Sequence, residues 1–324
     1  MQKFHQYILK VTKASSIVKT ELIQSLWSDY GQIVRVYLEG GKHSTVVVKH
    51  ICIPSKTNHP RGWNTDLGHQ RKVTSYQIEN QWYQEWASRC NSNCQTPQLL
   101  GYQQIESEKL LILEDLDAKG FRVRKASLTV DQSKVVLKWL ANFHATFMHE
   151  KPDGLWPTGT YWHLATRQEE WNAMPKSRLK EHAAIIDQQL NNSQYQTIVH
   201  GDAKVANFCF SSDLKSVAAV DFQYVGGGCG MKDVAYYIGS CLTEQECLKH
   251  ETELLDYYFL ELSKGLINHK PAINSEAVEA EYRFLYAIAW ADFTRFLLGW
   301  NPKHWKLHSY SQKLSNNALN SLLS

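Results

Sequence analysis

The sequence predicts an α+β fold in two lobes, a small N-terminal lobe with an antiparallel sheet and one key helix, and a larger, mainly helical C-terminal lobe. Two β-rich runs separated by Gly40-Gly41 predict a hairpin in the first third of the chain. After residue 116 long helical patterns dominate, as in SKVVLKWLANFHATFMHE. With 43% hydrophobic residues among 324, the chain can bury a full core. We therefore divide it into residues 1–115 and 116–324.

The elements of the first lobe each follow from a local pattern. Residues 1–24 are mixed, and we predict a helix around Ser16–Ser25. The run GQIVRVYLEGGKHSTVVVKHI predicts the hairpin, and residues 55–70, rich in Pro, Asn and Gly, predict a loop. The run QRKVTSYQIENQWYQEWASR has apolar residues at helical spacing and predicts the one helix of this lobe. The run KLLILEDL predicts a short buried strand that ends in a polar turn.

The second lobe contains short predicted strands among its helices. IVHGDAKVANFCF predicts a strand, a tight polar turn and a second strand, and SVAAVDFQYV predicts another. The glycine cluster GGGCG predicts a mobile segment, and KDVAYYIGSCL predicts a helix with Asp233 at its N-cap. FLYAIAWADFTRFLLGW is interrupted by Asp292 and Arg295, which favours a buried helix over a membrane span.

Charge, cysteines and the N-terminal residues argue against several classes of protein. The formal net charge is +3 and no long basic tract occurs, so nothing indicates binding to nucleic acid. The seven cysteines form no CxxC pair, which favours free thiols in a reducing cytoplasm over disulfides or a zinc site. MQKFHQYILKVTKASS lacks the apolar core of a signal peptide. We predict a cytoplasmic protein without membrane or nucleic-acid partners.

The turn in IVHGDAKVANFCF carries more polar groups than a turn needs. Its residues His200, Asp202 and Asn207 have the spacing H-x-D-x-x-x-x-N, and Asp221 ends the next predicted strand. Phosphoryl transfer from ATP uses such a set, because one carboxylate accepts the proton of the acceptor hydroxyl while an amide and a second carboxylate hold magnesium. The pattern predicts Asp202 as the catalytic base, Asn207 and Asp221 as Mg²⁺ ligands, and His200 as a packing residue.

The motifs HGDAKVANFCF and AAVDFQYVGGGCGMKDVAYYI resemble those of the protein-kinase-like fold. They are similar to the branch with aminoglycoside phosphotransferases and choline kinases, and most similar to the ecdysteroid kinase-like family. The resemblance implies an ATP- and Mg²⁺-dependent phosphotransferase that moves the γ-phosphate to a hydroxyl group of a small molecule. It also implies that Lys204 contacts phosphate, with a solvated turn charge as the alternative, and that Asp233 braces the catalytic loop.

The same resemblance implies a nucleotide site in the first lobe. Lys49 in STVVVKH would reach the α- and β-phosphates, and Val47, on the same face of the strand, would lie near the adenine. Glu79 on the predicted helix would pair with Lys49, and Glu85 is the alternative partner.

Two further segments complete this implied nucleotide site. The run LILEDL would form the hinge, where the backbone from Glu114 to Leu116 meets the adenine edge. The turn SLWSDYGQIVRV, with Gly31 as its single glycine, would fold over the phosphates, although no G-x-G-x-x-G precedes Lys49.

Other functions and acceptors stay open at this point. A nucleotide-binding module without catalysis is one alternative, and a metal-dependent hydrolase built on Asp202 and Asp221 is another. Asp292 beside Trp290 would suit a cationic alcohol held through ring faces, whereas an Asp292–Arg295 pair would make both residues structural. A bulky apolar alcohol is the competing acceptor. GGGCGMK does not fit a P-loop, because Met231 separates the last glycine from the lysine.

Overall fold

The computed structural model describes residues 2–26, 30–52 and 66–323. Its N-terminal part contains a five-stranded antiparallel sheet in the order β1-β2-β3-β5-β4. The strands are β1 Ser16–Ser25, β2 Gly31–Glu39, β3 Thr45–Cys52, β4 Leu99–Ile105 and β5 Glu108–Glu114. The predicted hairpin is therefore β2 and β3, and the predicted buried strand is β5.

Alternation along β3 separates the two faces of this sheet. Val46 and Val48 are fully buried in an apolar cluster with Phe4 and Ile8, which belong to the N-terminal segment that includes helix α1 (His5–Thr12). Because side chains alternate along a strand, Lys49 lies on the opposite face. One strand thus supplies core residues to one side of the sheet and a charge to the other.

Two local predictions in the first lobe are wrong. Ser16–Ser25 is the edge strand β1, paired with β2 along its length, and not a helix. Its β-branched residues suit this pairing, although most of its side chains are exposed. The loop predicted for 55–70 does not reach residue 70, because helix α2 (Asp66–Gln81) has begun by then; residues 55–65 lie outside the described residues.

The predicted helix of the first lobe is present and ends irregularly. Helix α2 continues into a π-helical turn, Trp82–Trp86, and a short 3-10 turn, Ala87–Arg89. Tyr76 and Trp82 are fully buried, and Trp82 stacks on Phe222 with ring centroids 4.5 Å apart. Through this contact the helix packs against the segment around Phe222 in the second lobe.

The C-terminal part is mainly helical, which confirms the α+β fold class. Side-chain caps begin its long helices: Thr129 and Thr243 each form a capping box, and Asn274 caps a third helix. The helices are α3 Val130–Thr146, α4 Gln168–Ala173, α5 Arg178–Glu181, α6 Ala183–Asn191, α7 Met231–Cys241, α8 Glu244–His269, α9 Ser275–Trp300 and α10 Ser309–Leu323. Within the three described ranges, none of the helices has the length and apolar character needed to cross a bilayer.

Four short strands lie between these helices and form two antiparallel pairs. They are β6 Gln196–Val199, β7 Phe208–Phe210, β8 Val217–Ala219 and β9 Gly226–Cys229, with β6 paired to β9 and β7 to β8. The glycine cluster is therefore a strand and not the mobile segment predicted for it. A Cβ on Gly226 would lie 2.2 Å from the carbonyl oxygen of Trp156, so this glycine permits close backbone approach. The seven cysteines are free thiols, as predicted.

Candidate active site

The loop from β6 to β7 is held in place by a buried carboxylate. The backbone N–H groups of His200 and Gly201 donate to the two oxygens of Asp233 at 2.6 and 2.9 Å, and His144 Nε2 lies 3.2 Å from the same side chain. Asp233 lies in the first turn of α7, where Gly230 and not Asp233 is the N-cap residue, so its predicted capping role is wrong. The contacts of Asp233 hold this loop in place, which is the role that the family resemblance implied for it.

Gly201 allows this loop to turn tightly. Its φ is +79°, and an added Cβ would lie 2.0 Å from the carbonyl oxygen of Tyr224. The substitution of any other residue would therefore require the backbone to move. His200 is fully buried, and its Nε2 lies 3.1 Å from the carbonyl oxygen of Val220, which agrees with a packing role.

Asp202 is fixed by three side chains. Its Oδ2 accepts hydrogen bonds from Lys204 Nζ at 2.8 Å and Asn207 Nδ2 at 3.1 Å, and its Oδ1 accepts one from the Tyr236 hydroxyl at 3.0 Å. Burial opposes the charge of Lys204, yet the carboxylates of Asp202 and Asp221 raise the pKa of its ammonium group. A carboxylate held in this way has one orientation, which a positioned base needs.

Lys49 and Glu79 form a buried ion pair. Lys49 Nζ lies 2.6 Å from Glu79 Oε2, with side chains 5% and 2% exposed. Burial raises the pKa of Glu79, and the charge of Lys49 opposes that rise. Glu85, the alternative partner, is exposed in the π-helical turn. The structure thus brings together Lys49 and Glu79, the pair that the family resemblance implied.

Asp221 provides the second carboxylate of the site. Its φ is +68°, an uncommon value for a residue other than glycine. Its Oδ1 is buried and has no hydrogen-bond partner among the described residues. Burial acts to raise its pKa, but Lys49, Lys204 and Lys72 outweigh burial and lower it. A buried, ionised oxygen without a partner is an arrangement that suits a bound cation.

These groups line one cavity of about 1050 Å³ between the sheet and the helices. Nine of the ten sequence-predicted site residues are on its wall: Val47, Lys49, Glu79, Glu114, Leu116, Asp202, Lys204, Asn207 and Asp221. Gly31 is not among the lining residues, although its neighbour Tyr30 is. A Cβ on Gly31 would lie 2.0 Å from the carbonyl oxygen of His50, so Gly31 allows β2 to pass close to β3. Residues 27–29 of the predicted phosphate turn lie outside the described residues.

Lys72 is a site residue that sequence reasoning missed. Its Nζ donates to Gln223 Oε1 at 2.8 Å and lies 4.7 Å from the ring centroid of Tyr76. Burial lowers its pKa to about 8, against the opposing effect of Asp221. Lys72, Tyr76 and Glu79 follow one another at i, i+4 and i+7, so helical spacing from Glu79 is the signal that could have placed Lys72 on the same face.

The end of the cavity beyond Asp202 has an aromatic wall. It includes the side chains of Tyr161, Tyr224, Tyr236, Phe293, Phe296 and Trp300. Successive rings touch: Tyr161 and Tyr236 have centroids 5.7 Å apart, and Phe296 stacks on Trp300 at 5.7 Å. Tyr236, which also bonds Asp202, was not singled out for this role in the sequence.

Asp292 and Trp290 do not line this cavity. Asp292 is fully buried, pairs with Arg295 at 2.8 Å and accepts a hydrogen bond from Trp162 Nε1 at 3.1 Å. Trp290 is also fully buried in the core. The geometry therefore supports the interpretation in which Asp292 and Arg295 are structural residues. The cationic acceptor site suggested for Asp292 and Trp290 is wrong.

The fold and the grouping of these residues define a kinase-like phosphotransferase. A model of the ecdysteroid kinase-like family matches residues 31–153 and 160–270, and the chain belongs to this family. No curated protein matches it.

Solved structures share the fold at low sequence identity. A putative aminoglycoside phosphotransferase from Ralstonia eutropha JMP134 is 10% identical, with a TM-score of 0.54 over 99% of this chain and 96% of that chain. Choline kinase from Cryptosporidium parvum Iowa II is 12% identical, with a TM-score of 0.54 over 100% of this chain and 94% of that chain. These likenesses show a protein-kinase-like fold with a small sheet lobe and a larger helical lobe.

Proposed function

We propose that the chain is an ATP- and Mg²⁺-dependent phosphotransferase that moves the γ-phosphate to a hydroxyl group of a small molecule, with Asp202 as the catalytic base. One observation carries this proposal. The Lys49–Glu79 pair, Asp202 and Asp221 face a single cavity, although they come from a strand, a helix, a loop and a strand end. That grouping suits a nucleotide whose phosphates lie between the two parts of the chain.

In the proposed reaction Asp202 receives the proton of the acceptor hydroxyl. A new bond forms between the hydroxyl oxygen and the γ-phosphorus, the bond from that phosphorus to the β–γ bridging oxygen breaks, and ADP leaves. The contact with Tyr236 at 3.0 Å keeps the carboxylate in place during this transfer. Lys204, 2.8 Å from Asp202, would contact the transferred phosphoryl group, and Lys49 the α- and β-phosphates.

Asn207 and Asp221 fit the role of Mg²⁺ ligands. The amide nitrogen of Asn207 donates to Asp202, which turns its carbonyl oxygen away from that carboxylate. The unpartnered Oδ1 of Asp221 supplies an anionic oxygen. Magnesium bound there would neutralise charge on the phosphates. Asp221→Ala should weaken nucleotide binding more with magnesium than with EDTA, as measured by calorimetry, and equal weakening in both titrations would argue against a metal role.

We also propose that residues 1–115 act as the nucleotide lobe and 116–324 as the catalytic and acceptor lobe. In this arrangement Val47 contacts adenine, and the backbone from Glu114 to Leu116 forms the hinge. A cytoplasmic location accompanies this proposal, since free thiols favour a reducing compartment.

The alternative is a nucleotide-binding module without catalysis. Acceptor-dependent release of ADP separates the two, so we propose a screen of hydroxyl compounds with ATP and magnesium, with EDTA as the control. A kinase releases ADP only when acceptor and magnesium are both present. Release without any acceptor would indicate a hydrolase, and tight nucleotide binding with no release for any acceptor would favour the non-catalytic module.

A further inference from the structure

Besides Lys204, a second lysine lies at the acceptor end of the cavity, and no carboxylate among the described residues is in contact with it. Lys306, in the turn between α9 and α10, lines the cavity and is only 6% exposed. Its Nζ makes no ion pair and no hydrogen bond within the described part of the chain. Instead it lies over the rings of Tyr236, Phe293 and Trp305, 4.5, 5.3 and 5.4 Å from their centroids.

Ring faces compensate only part of the cost of burying an ammonium group. They attract the charge, but its three N–H donors still need acceptor atoms. Burial lowers the pKa of Lys306 to about 8, although the negative charge of Asp202 opposes that shift. The chain therefore keeps a desolvated ammonium group at this end of the cavity with no carboxylate in contact with it among the described residues, and a ligand can supply the missing partner.

The charge of Lys306 is unfavourable for a cationic acceptor, because the neighbouring cations are already paired with carboxylates. Arg167 and Lys204 also line this end of the cavity, paired with Glu170 at 3.0 Å and Asp202 at 2.8 Å. His304, on the same wall, accepts the backbone N–H of Lys306 at its Nδ1. Burial and the charge of Lys306 lower the pKa of His304, which leaves its Nε2 as a neutral donor.

We infer, on the basis of the proposed kinase function, that the acceptor is a flat, largely apolar alcohol that carries a carboxylate, and that this carboxylate pairs with Lys306. The flat body packs against the partly exposed rings of Tyr161 and Trp300, and the hydroxyl group reaches Asp202. The aromatic wall thus selects the shape of the acceptor, and Lys306 selects its charge.

The test is a binding experiment that does not depend on turnover. The full chain is loaded with magnesium and a non-hydrolysable ATP analogue and titrated with para-hydroxymethylbenzoate, its methyl ester and the corresponding trimethylammonium alcohol. Cholate and methyl cholate form a second pair with a larger flat body. The acids should bind roughly tenfold to a hundredfold more tightly than the esters, the gain typical of a charge-assisted contact, and the trimethylammonium alcohol should bind least.

Variants assign this preference to one side chain. Lys306→Met should remove the preference for acid over ester, Lys306→Arg should keep most of it, and Lys303→Met, at an exposed lysine of the same turn, should leave it unchanged. Thermal unfolding checks that each variant is folded, and the comparison of acid with ester in the unaltered protein needs no variant.

Four results would overturn the inference: equal or tighter binding of the esters, tighter binding of the ammonium alcohol, no binding of any acid, or a Lys306→Met variant that loses nucleotide affinity and keeps the acid preference. If the proposed kinase function itself were wrong, the acids could still bind, but no ADP would be released in their presence.

Discussion

Lys49–Glu79 and Asp292–Arg295 are both buried ion pairs with contacts of 2.6 and 2.8 Å, but their surroundings differ. The first pair lines the cavity that also contains Asp221. The second contacts the backbone and side chain of Trp162 and does not line that cavity. A buried ion pair is therefore not by itself a sign of function, and what distinguishes the first is its position on the cavity wall together with the unpartnered carboxylate oxygen of Asp221.

The largest expected effect concerns the enclosed pair. Arg295→Met leaves the carboxylate of Asp292 buried with only Trp162 as a donor, so the free energy of unfolding should fall by about 3–5 kcal/mol. Urea denaturation measures this loss. Arg283→Met is the matched control on the same helix, because its ion pairs are partly exposed and the expected loss is about 0–1 kcal/mol. Equal losses for the two variants would show that the enclosed pair has no special structural role.

A smaller effect, on binding, is expected for the pair in the cavity. Glu79→Gln removes the partner of Lys49, whose charge also acts on Asp221, so Lys49 would compete with a metal ion at the proposed Asp221 site. The affinity for ATP with magnesium should fall about tenfold, the loss of one charge-assisted contact, as measured by calorimetry. Glu85→Gln changes the same chemical group at an exposed site of the adjoining turn and should have no effect. If both variants bound nucleotide as tightly as the unaltered chain, the cavity pair would be as purely structural as the enclosed one.

The smallest expected effect is the pH dependence contributed by Lys72. Burial lowers its pKa from 10.5 to about 8, so between these two values the unfolded chain binds more protons than the folded chain. The free energy of unfolding of the unaltered protein should therefore rise with pH in this window, by about 1 kcal/mol from pH 8 to pH 9 relative to Lys72→Met. Urea denaturation at pH 8 and at pH 9 measures the difference. Lys176→Met, at an exposed lysine, serves as the control, and a constant offset for Lys72→Met at both pH values would contradict a lowered pKa for the partly buried Lys72.

The predicted residues that meet in the cavity come from local patterns and from the family resemblance. The loop with Asp202 and Asn207 lies within a few residues of chain, and the resemblance implied the pair of Lys49 and Glu79. The strand β1 was missed because its exposed edge position leaves no buried face to produce a regular alternation. Likewise, the strand character of GGGCG comes from close packing against Trp156, which its composition does not reveal.

The acceptor end of the site could not be predicted, for a related reason. Lys306 and Tyr236 are far apart in sequence, and each is ordinary in its own segment. They come together through the packing of α7 with α9 and the turn that follows α9. Tertiary contacts of this kind leave no spacing signal in a single sequence, so the residues of the proposed nucleotide side of the cavity were predicted and those of the proposed acceptor side were not.

Asp202→Asn tests the central claim most directly. The variant keeps the size and most contacts of the side chain but cannot accept the hydroxyl proton. In a single-turnover experiment with ATP, magnesium and a substrate alcohol, phosphoryl transfer should slow by about a hundredfold to ten-thousandfold, while nucleotide affinity measured in parallel stays within a few-fold. Asp131→Asn, at a side chain that is 91% exposed, should leave both unchanged. Near-normal transfer by Asp202→Asn would contradict the assignment of Asp202 as the catalytic base.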